Sequence, residues 1–252
     1  MENLAIHKGS GIYFRPGTSD RGVIGQCLKN YKYFSIDSES IVCDFGGNIG
    51  VFGKMALDAG CKQLHIFEPD DENFKMIALN LIEEFNTDPS RVRIYHAAVS
   101  VSNATELTFY KTDSKNADCS GTIQPFSTRS EKMRPIRFTV RNTNINTVLM
   151  DIKPTHLKID IEGSEIDWLK ENNAEIPDSV EECFIEIHRR LDFFQVFDSQ
   201  YVPKLKEKFD IIHLDLTQQG FDTQNHLFLP NLGVDTHKNV LGIEILLKRK
   251  HS

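Results

Sequence analysis

Apolar positions along this chain change period repeatedly, and the changes mark strands and helices in alternation. Residues 41–45 form a short apolar run, stopped by Gly46 and Gly47, and a helical pattern follows over 50–59. A second apolar run covers 63–67. Residues 72–85 then place Phe74, Ile77, Ala78 and Leu81 on one helical face. Strands are predicted over 92–97 and 105–111, and a fourth main strand over 156–161. A helix over 165–172, a fifth strand over 182–188 and a helix over 201–208 come next. Two closing strands, 210–216 and 241–248, end the pattern. Residues 1–36 are a lead segment with a helical look at 22–33. The alternation predicts an α/β fold: a Rossmann-like, doubly wound, mostly parallel seven-stranded sheet with helices on both faces and an antiparallel C-terminal edge strand. No repeat or linker divides residues 1–252, so a single domain is expected. The polar stretch 111–137 reads as a loop and a candidate substrate lid.

Two strands break the apolar rule of a buried parallel sheet. In Leu157-Lys158-Ile159-Asp160-Ile161-Glu162-Gly163 the charged residues alternate, so Lys158, Asp160 and Glu162 share one face. Glu186 and His188 share a face in the next strand. Buried charge is costly unless paired or used. One reading is a structural ion pair between Lys158 and a carboxylate inside the sheet. The other is a catalytic constellation of Asp160, Glu186 and His188 at the strand ends, where a doubly wound sheet opens its ligand crevice.

The turn after the first strand, Asp44-Phe45-Gly46-Gly47-Asn48-Ile49-Gly50, suits a nucleoside-containing cofactor. Glycines admit a close ligand, and a helix N-terminus faces it. A dinucleotide fingerprint needs Gly-x-Gly-x-x-Gly, but Asn48 and Val51 stand where its second and third glycines belong. The pattern fits S-adenosylmethionine better, because no pyrophosphate must be held. Asp44 is expected to meet the methionine amino group and Glu68, at the second strand's end, the ribose hydroxyls. Pro69 and the backbone near Ala98 would line the rest. Methyl transfer to oxygen gains from a general base, and His188 has the most suitable unperturbed pKa, with Asp160 orienting it or binding the acceptor. No metal is assigned. Asp160, Glu186 and His188 would be the ligands if Mg2+ were used, a reading ranked second because that trio is thin for a hard cation.

Charge narrows the partners. A net charge of −7 and a pI near 5.7 disfavour a general nucleic-acid binder. The five cysteines, Cys27, Cys43, Cys61, Cys119 and Cys183, form no CxxC pair and read as free thiols of a reducing compartment. No signal peptide or membrane-spanning run is visible, and a cytoplasmic protein is expected. A homodimer is only the base-rate expectation.

Taken together, these motifs resemble the FkbM-type S-adenosylmethionine-dependent methyltransferases. The resemblance rests on Asp44-Phe-Gly46-Gly47-Asn48-Ile49-Gly50, on Phe67-Glu68-Pro69, and on Asn73-Phe74 and Asn80-Leu81. Ala98-Val99-Ser100, the complete Lys158-Ile-Asp160-Ile-Glu162-Gly163-Ser164-Glu165, and Glu186-Ile187-His188 complete it. The segment Arg15-Pro-Gly-Thr18-Ser-Asp20 also occurs in some members. The likeness runs over roughly residues 12–190 and leaves the C-terminal third without a motif. It implies O-methylation of a sugar hydroxyl, on a nucleotide-activated sugar or a surface-glycan saccharide, or else of a polyketide-like product. Arg15, Thr18, Asp20, Glu162 and Ser120 are then candidates for substrate binding, though Pro16-Gly17 also reads as a plain turn. A nicotinamide-dependent oxidoreductase is disfavoured by the missing glycines. A methyltransferase acting on nucleic-acid bases is disfavoured by Asp160-Ile-Glu162-Gly163 standing where Asp/Asn-Pro-Pro-aromatic would be.

Overall fold

A computed structural model describes residues 4–83, 88, 90–112, 121–123, 135–188, 191–219, 227–236 and 239–250. Seven strands build the central sheet: β1 (Ile41–Phe45), β2 (Gln63–Phe67), β3 (Val92–Tyr95), β4 (His156–Ile159), β5 (Glu182–His188), β6 (Phe209–Gln219) and β7 (Asn239–Arg249). Their order is β3-β2-β1-β4-β5-β7-β6, and the first five run parallel. β7 is antiparallel to both neighbours, as expected of the last strand, but it is inserted between β5 and β6 and leaves β6 at the rim. The chain reverses its direction of travel across the sheet between β1 and β4. A crevice therefore opens at the carboxyl ends of those two strands.

Helices cover both faces: α1 (Asp20–Asn30), α2 (Val51–Asp58), α3 (Asp71–Ala78), α4 (Ile145–Ile152), α5 (Glu165–Glu171), α6 (Leu191–Val196) and α7 (Val202–Lys208). α3 starts where Asp70 accepts from the backbone N–H of Glu72 and Asn73, at 3.1 and 3.0 Å. It continues into a wider π-turn over Leu79–Glu83, and the expected end near Phe85 lies outside the described residues. α4 and α6 were not predicted. Ile145, Val148, Leu149 and Ile152 follow the i, i+3, i+4, i+7 spacing of a helical face, and Asn144 caps it, so α4 carries both a period and a start signal. Among the described residues no helix is long and apolar enough to cross a membrane.

Part of the expected polar loop is strand. Glu106–Thr112, Gly121–Thr122 and Pro135–Asn144 pair with Ala98–Ser100 into a four-stranded second sheet. Residues 113–120 and 124–134, including Ser120 and Cys119, lie outside the described residues.

The core divides by sheet face. On one side Phe45, Leu157, Ile159, Cys183, Ile185, Ile187, Ile243 and Ile245 pack under Trp168, Phe193 and Phe194. The side under α1 and α2 carries Ile24, Phe52, Tyr31, Phe184 and Leu246. Period two sends Asp44, Lys158, Glu186 and Glu244 toward that second side, and all four are buried. The strands that broke the apolar rule are thus apolar on one face and polar on the other.

Candidate functional site

The turn after β1 is held by conformation. Gly46, Asn48 and Gly50 all have positive φ, at 85°, 49° and 87°. Asn tolerates that region better than most residues, which explains Asn48 in place of glycine. Gly46 and Gly47 both donate to the carbonyl of Phe67, each at 3.0 Å, so the turn is tied to the end of β2. A Cβ on Gly46 would lie 1.9 Å from the backbone oxygen of Asp160. Gly46→Ala is therefore expected to lose more than ~2 kcal/mol of stability, because a positive φ and a backbone clash add. Urea unfolding checks this, and a loss below ~0.5 kcal/mol would show that the strand tips can part.

Glu68 closes the same turn. Its Oε2 accepts from Asn48 N at 2.8 Å and its Oε1 from Asp70 N at 2.9 Å. Burial pushes its pKa up to about 8, against the pull of those two donors. A group whose folded pKa exceeds its unfolded one binds extra protons when folded, so stability falls as pH rises from about 4.5 to about 8. Glu68→Gln is expected to remove that slope. Its melting temperature should gain on the parent's steadily between pH 5 and 8 without ligand. Parallel curves would show that Glu68 does not titrate there.

Asp44 is not where the sequence reading put it. It is fully buried, off the cleft wall, and holds Lys158 Nζ at 3.1 Å. Residues 44 and 158 are register partners across β1 and β4, which forces the two side chains together. Lys158 also donates to Gly46 O at 2.7 Å and approaches Asp160 Oδ2 at 3.5 Å. Burial alone would lower its pKa, but Asp44 and Asp160 hold it raised and charged. Burial raises Asp44, with Lys158 opposing. Gly50 is likewise off the wall; it starts α2 against Ile77 and Leu81.

The segment with Arg15, Thr18 and Asp20 is closed upon itself rather than open to a substrate. Arg15 grips Asp20 in a fork, Nε to Oδ2 and Nη2 to Oδ1, both 2.9 Å, and Asp20 is fully buried. Thr18 Oγ1 donates to Arg15 O at 2.8 Å. Arg15 Nη2 also donates to Asn73 Oδ1 at 2.7 Å, so this segment braces a residue that does face the cleft. Asn80 donates to Ile49 O and Tyr13 O and accepts from Tyr13 N, stapling the lead segment to the turn.

Gly46, Asn48, Glu68, Pro69 and Ala98 do line the cleft, whose volume is about 560 Å³ with its open mouth. Ala97, Val99, Phe109 and Ile123 give it an apolar wall. Asp160, Glu162 and Ser164 also line it, and among the described residues the buried Ser164 hydroxyl has no hydrogen-bond partner. Gly121 and Ile123 come from the second sheet, where Thr122 donates to Glu162 O at 2.7 Å.

Behind Asp160 the strand tips carry His188 and Glu186. His188 Nε2 lies 3.4 Å from Glu186, 3.6 Å from Glu162 and 3.8 Å from Asp160. Its Nδ1 is 3.2 Å from Glu165 Oε1, which also accepts the His188 backbone N–H at 2.8 Å. Burial would lower the imidazole pKa, but Glu162, Glu165 and Glu186 outweigh it and hold it well above the usual range. The unperturbed pKa that recommended His188 as a free base is not the one it has here. Burial, with Asp160 beside it, raises Glu186.

Glu165 and Glu244 escaped the sequence reading. Glu165 was legible as an acid in the first turn after a strand tip. Glu244 sits opposite Glu186 in register and accepts from Gln26, Asn30 and Thr217; its signal was one acid inside the run Ile243-Glu244-Ile245-Leu246.

A family model described as the methyltransferase FkbM domain matches residues 44–223. No curated protein matches the chain. Among solved structures, the FkbM methyltransferase of Methylobacillus flagellatus KT is 16% identical, with 94% of this chain and 47% of that one covered and a TM-score of 0.44. This chain thus spans about half of that protein's length. A putative tRNA (m1A22) methyltransferase, Sp1610 of Streptococcus pneumoniae, is 8% identical over 92% of this chain and 70% of that one, with a TM-score of 0.44. M. jannaschii TYW2 in complex with AdoMet is 9% identical over 99% and 88%, with a TM-score of 0.46.

Proposed function

The chain belongs to the FkbM methyltransferase domain family, and from that premise we propose that it is an S-adenosylmethionine-dependent O-methyltransferase acting on a sugar hydroxyl. The acceptor is a nucleotide-activated sugar or a surface-glycan saccharide. One observation carries the reading: a single cleft at the carboxyl ends of the strands is lined by Glu68 after β2 and by Asp160 and Glu162 after β4, on either side of the β1 turn. The residues present fit the donor. Glu68 at the tip of β2 can accept from ribose hydroxyls, and Ala97, Val99, Phe109 and Ile123 offer apolar surface for a purine. Bound there, S-adenosylmethionine supplies an electrophilic methyl group on a sulfonium sulfur.

The chain's own part is to place and deprotonate the acceptor. Asp160 accepts the hydrogen bond of the acceptor hydroxyl and receives its proton, while His188 and Lys158 hold the carboxylate in place. Gly121 and Ile123, at the edge of the second sheet, add to the lining beside Phe109. An acid-rich wall favours a neutral or amino sugar at the reaction centre and keeps any phosphate at a distance.

Isothermal titration with S-adenosylhomocysteine tests the donor half. Glu68→Gln is expected to weaken binding ~10-fold or more, the scale of one or two lost hydrogen bonds. Equal affinity for parent and variant would remove Glu68 from the site. Labelled donor offered to a panel of nucleotide sugars and glycans tests the acceptor half. Transfer to none of the sugars, with polyketide-like alcohols accepted, would replace the sugar reading.

A further inference from the structure

Hydrogen bonding does not account for the geometry around His188. Three carboxylate oxygens stand 3.4, 3.6 and 3.8 Å from Nε2. An N–H···O bond needs about 2.7–3.2 Å, so the nitrogen is well bonded to none of them. Adjacent donor atoms that share one divalent ion at about 2.1 Å stand roughly 3.0–3.5 Å apart, which is close to this spacing. One ligand atom each from Asp160, Glu186 and His188 falls within a 4.8 Å set.

The surroundings fit the same purpose. Nδ1 of the ring faces Glu165, which fixes Nε2 toward the cluster, as the outer carboxylate of a metal-bound histidine does. Asp160 Oδ2 is taken up by Lys158, which leaves Oδ1 turned to His188. Glu186 is more than nine-tenths buried, and among the described residues its recorded polar partner is that same Nε2. Four carboxylates crowd one imidazole, an imbalance that a doubly charged cation would offset. The sequence alone offered a thin trio; the fold adds Glu162 as a fourth oxygen donor and supplies the outer layer.

We propose that Asp160, Glu186 and His188, with Glu162 beside them, form a binding site for a divalent cation of the Mn2+ type. Carboxylate with imidazole suits Mn2+ better than Ca2+. Asp160 and Glu162 line the cleft, so the cation would face the acceptor. This rests on the methyltransferase reading above, and it refines the role of Asp160. The cation holds the acceptor oxygen and lowers its pKa; the O–H bond breaks, the electron pair stays on oxygen, and the proton passes to Glu162 and on to solvent.

The test uses the full chain stripped with chelator and titrated with Mn2+, free ion being read by electron paramagnetic resonance. One Mn2+ per chain is expected to bind saturably. Glu186→Gln and His188→Gln should each weaken it ~10-fold or more. Asp178→Asn, a remote exposed carboxylate, should bind as the parent does. S-adenosylhomocysteine titrations run in parallel report folding and the donor site separately. Where a variant loses donor binding, Glu162→Gln replaces it, with the same ~10-fold weakening expected. Absence of saturable Mn2+ uptake with donor binding intact, or uptake equal in folded variants and parent, overturns the cation site and leaves the donor reading standing. Methyl transfer unaffected by chelation overturns it as well, whereas loss on chelation and return with Mn2+ supports it.

Discussion

Lys158→Met is expected to destabilise the protein by about 3–5 kcal/mol, the cost of leaving a buried charge without its partner. The ammonium is almost fully buried and sits among Asp44, Asp160 and the carbonyl of Gly46. Removing it strands the Asp44 carboxylate beneath the glycine turn, in a place with no other cation among the described residues. Among the described residues Oδ2 of Asp44 already lacks a hydrogen bond, so the site has no slack to absorb the loss. Asp44→Asn combined with Lys158→Met should recover at least half of the deficit, since the stranded charge is gone. Urea midpoints for the parent, both single variants and the double variant measure this directly. A Lys158→Met loss under ~1 kcal/mol would mean that the pair contributes nothing net. A double variant no better than Lys158→Met would move the cost to the lost bond with Gly46.

That pair also shows what the sequence could and could not reveal. Alternation placed Lys158 correctly, because side-chain direction in a strand is a local property, but the strand ends at Ile159 rather than Ile161, and Asp160 and Glu162 stand in the turn beyond it, Glu162 with a φ of 54°. Which carboxylate Lys158 would meet is not local. It depends on β1 lying beside β4 in a register that sets residue 44 against residue 158, with more than 100 residues between them. Asp44 therefore read as a donor contact in the sequence and became a counter-ion in the fold. The Arg15 segment went the same way. Its residues suggested a polar ligand, but Asp20 is fully buried in a fork with Arg15, and Arg15 reaches on to Asn73. Glu68, by contrast, kept its predicted place, since a strand tip followed by a capped helix is fixed by neighbouring sequence alone.

The second sheet marks another limit. Strands Glu106–Thr112 and Pro135–Asn144 pair across a gap of polar sequence, and the cross-strand partners that stabilise them are not visible one strand at a time. The insertion of β7 between β5 and β6 follows the same logic. Both strands were legible as apolar runs, but the order in which they join the sheet depends on cross-strand pairing of β7 with β5 and β6, which their own patterns do not show.

Asp160→Asn is expected to lower turnover by ~10²-fold or more, the scale of losing the group that holds the acceptor hydroxyl, as proton acceptor or as cation ligand, while donor affinity stays within about twofold. The argument for selectivity is positional. Glu68 and Asn48 follow β2 and β1, and Asp160 follows β4, on the other side of β1 from Glu68. An amide keeps the shape of the carboxyl group and leaves Lys158 paired with Asp44, so the turn that cradles the donor is undisturbed. The loss should therefore appear in kcat measured with saturating donor, and titration with S-adenosylhomocysteine should look like the parent's. His188→Gln should follow the same split, because the imidazole touches Asp160 and not the donor wall. A variant with full turnover would remove Asp160 from the chemistry. One in which donor affinity fell in step with turnover would make it a donor-site residue and shift the acceptor toward Ser164 and the second sheet.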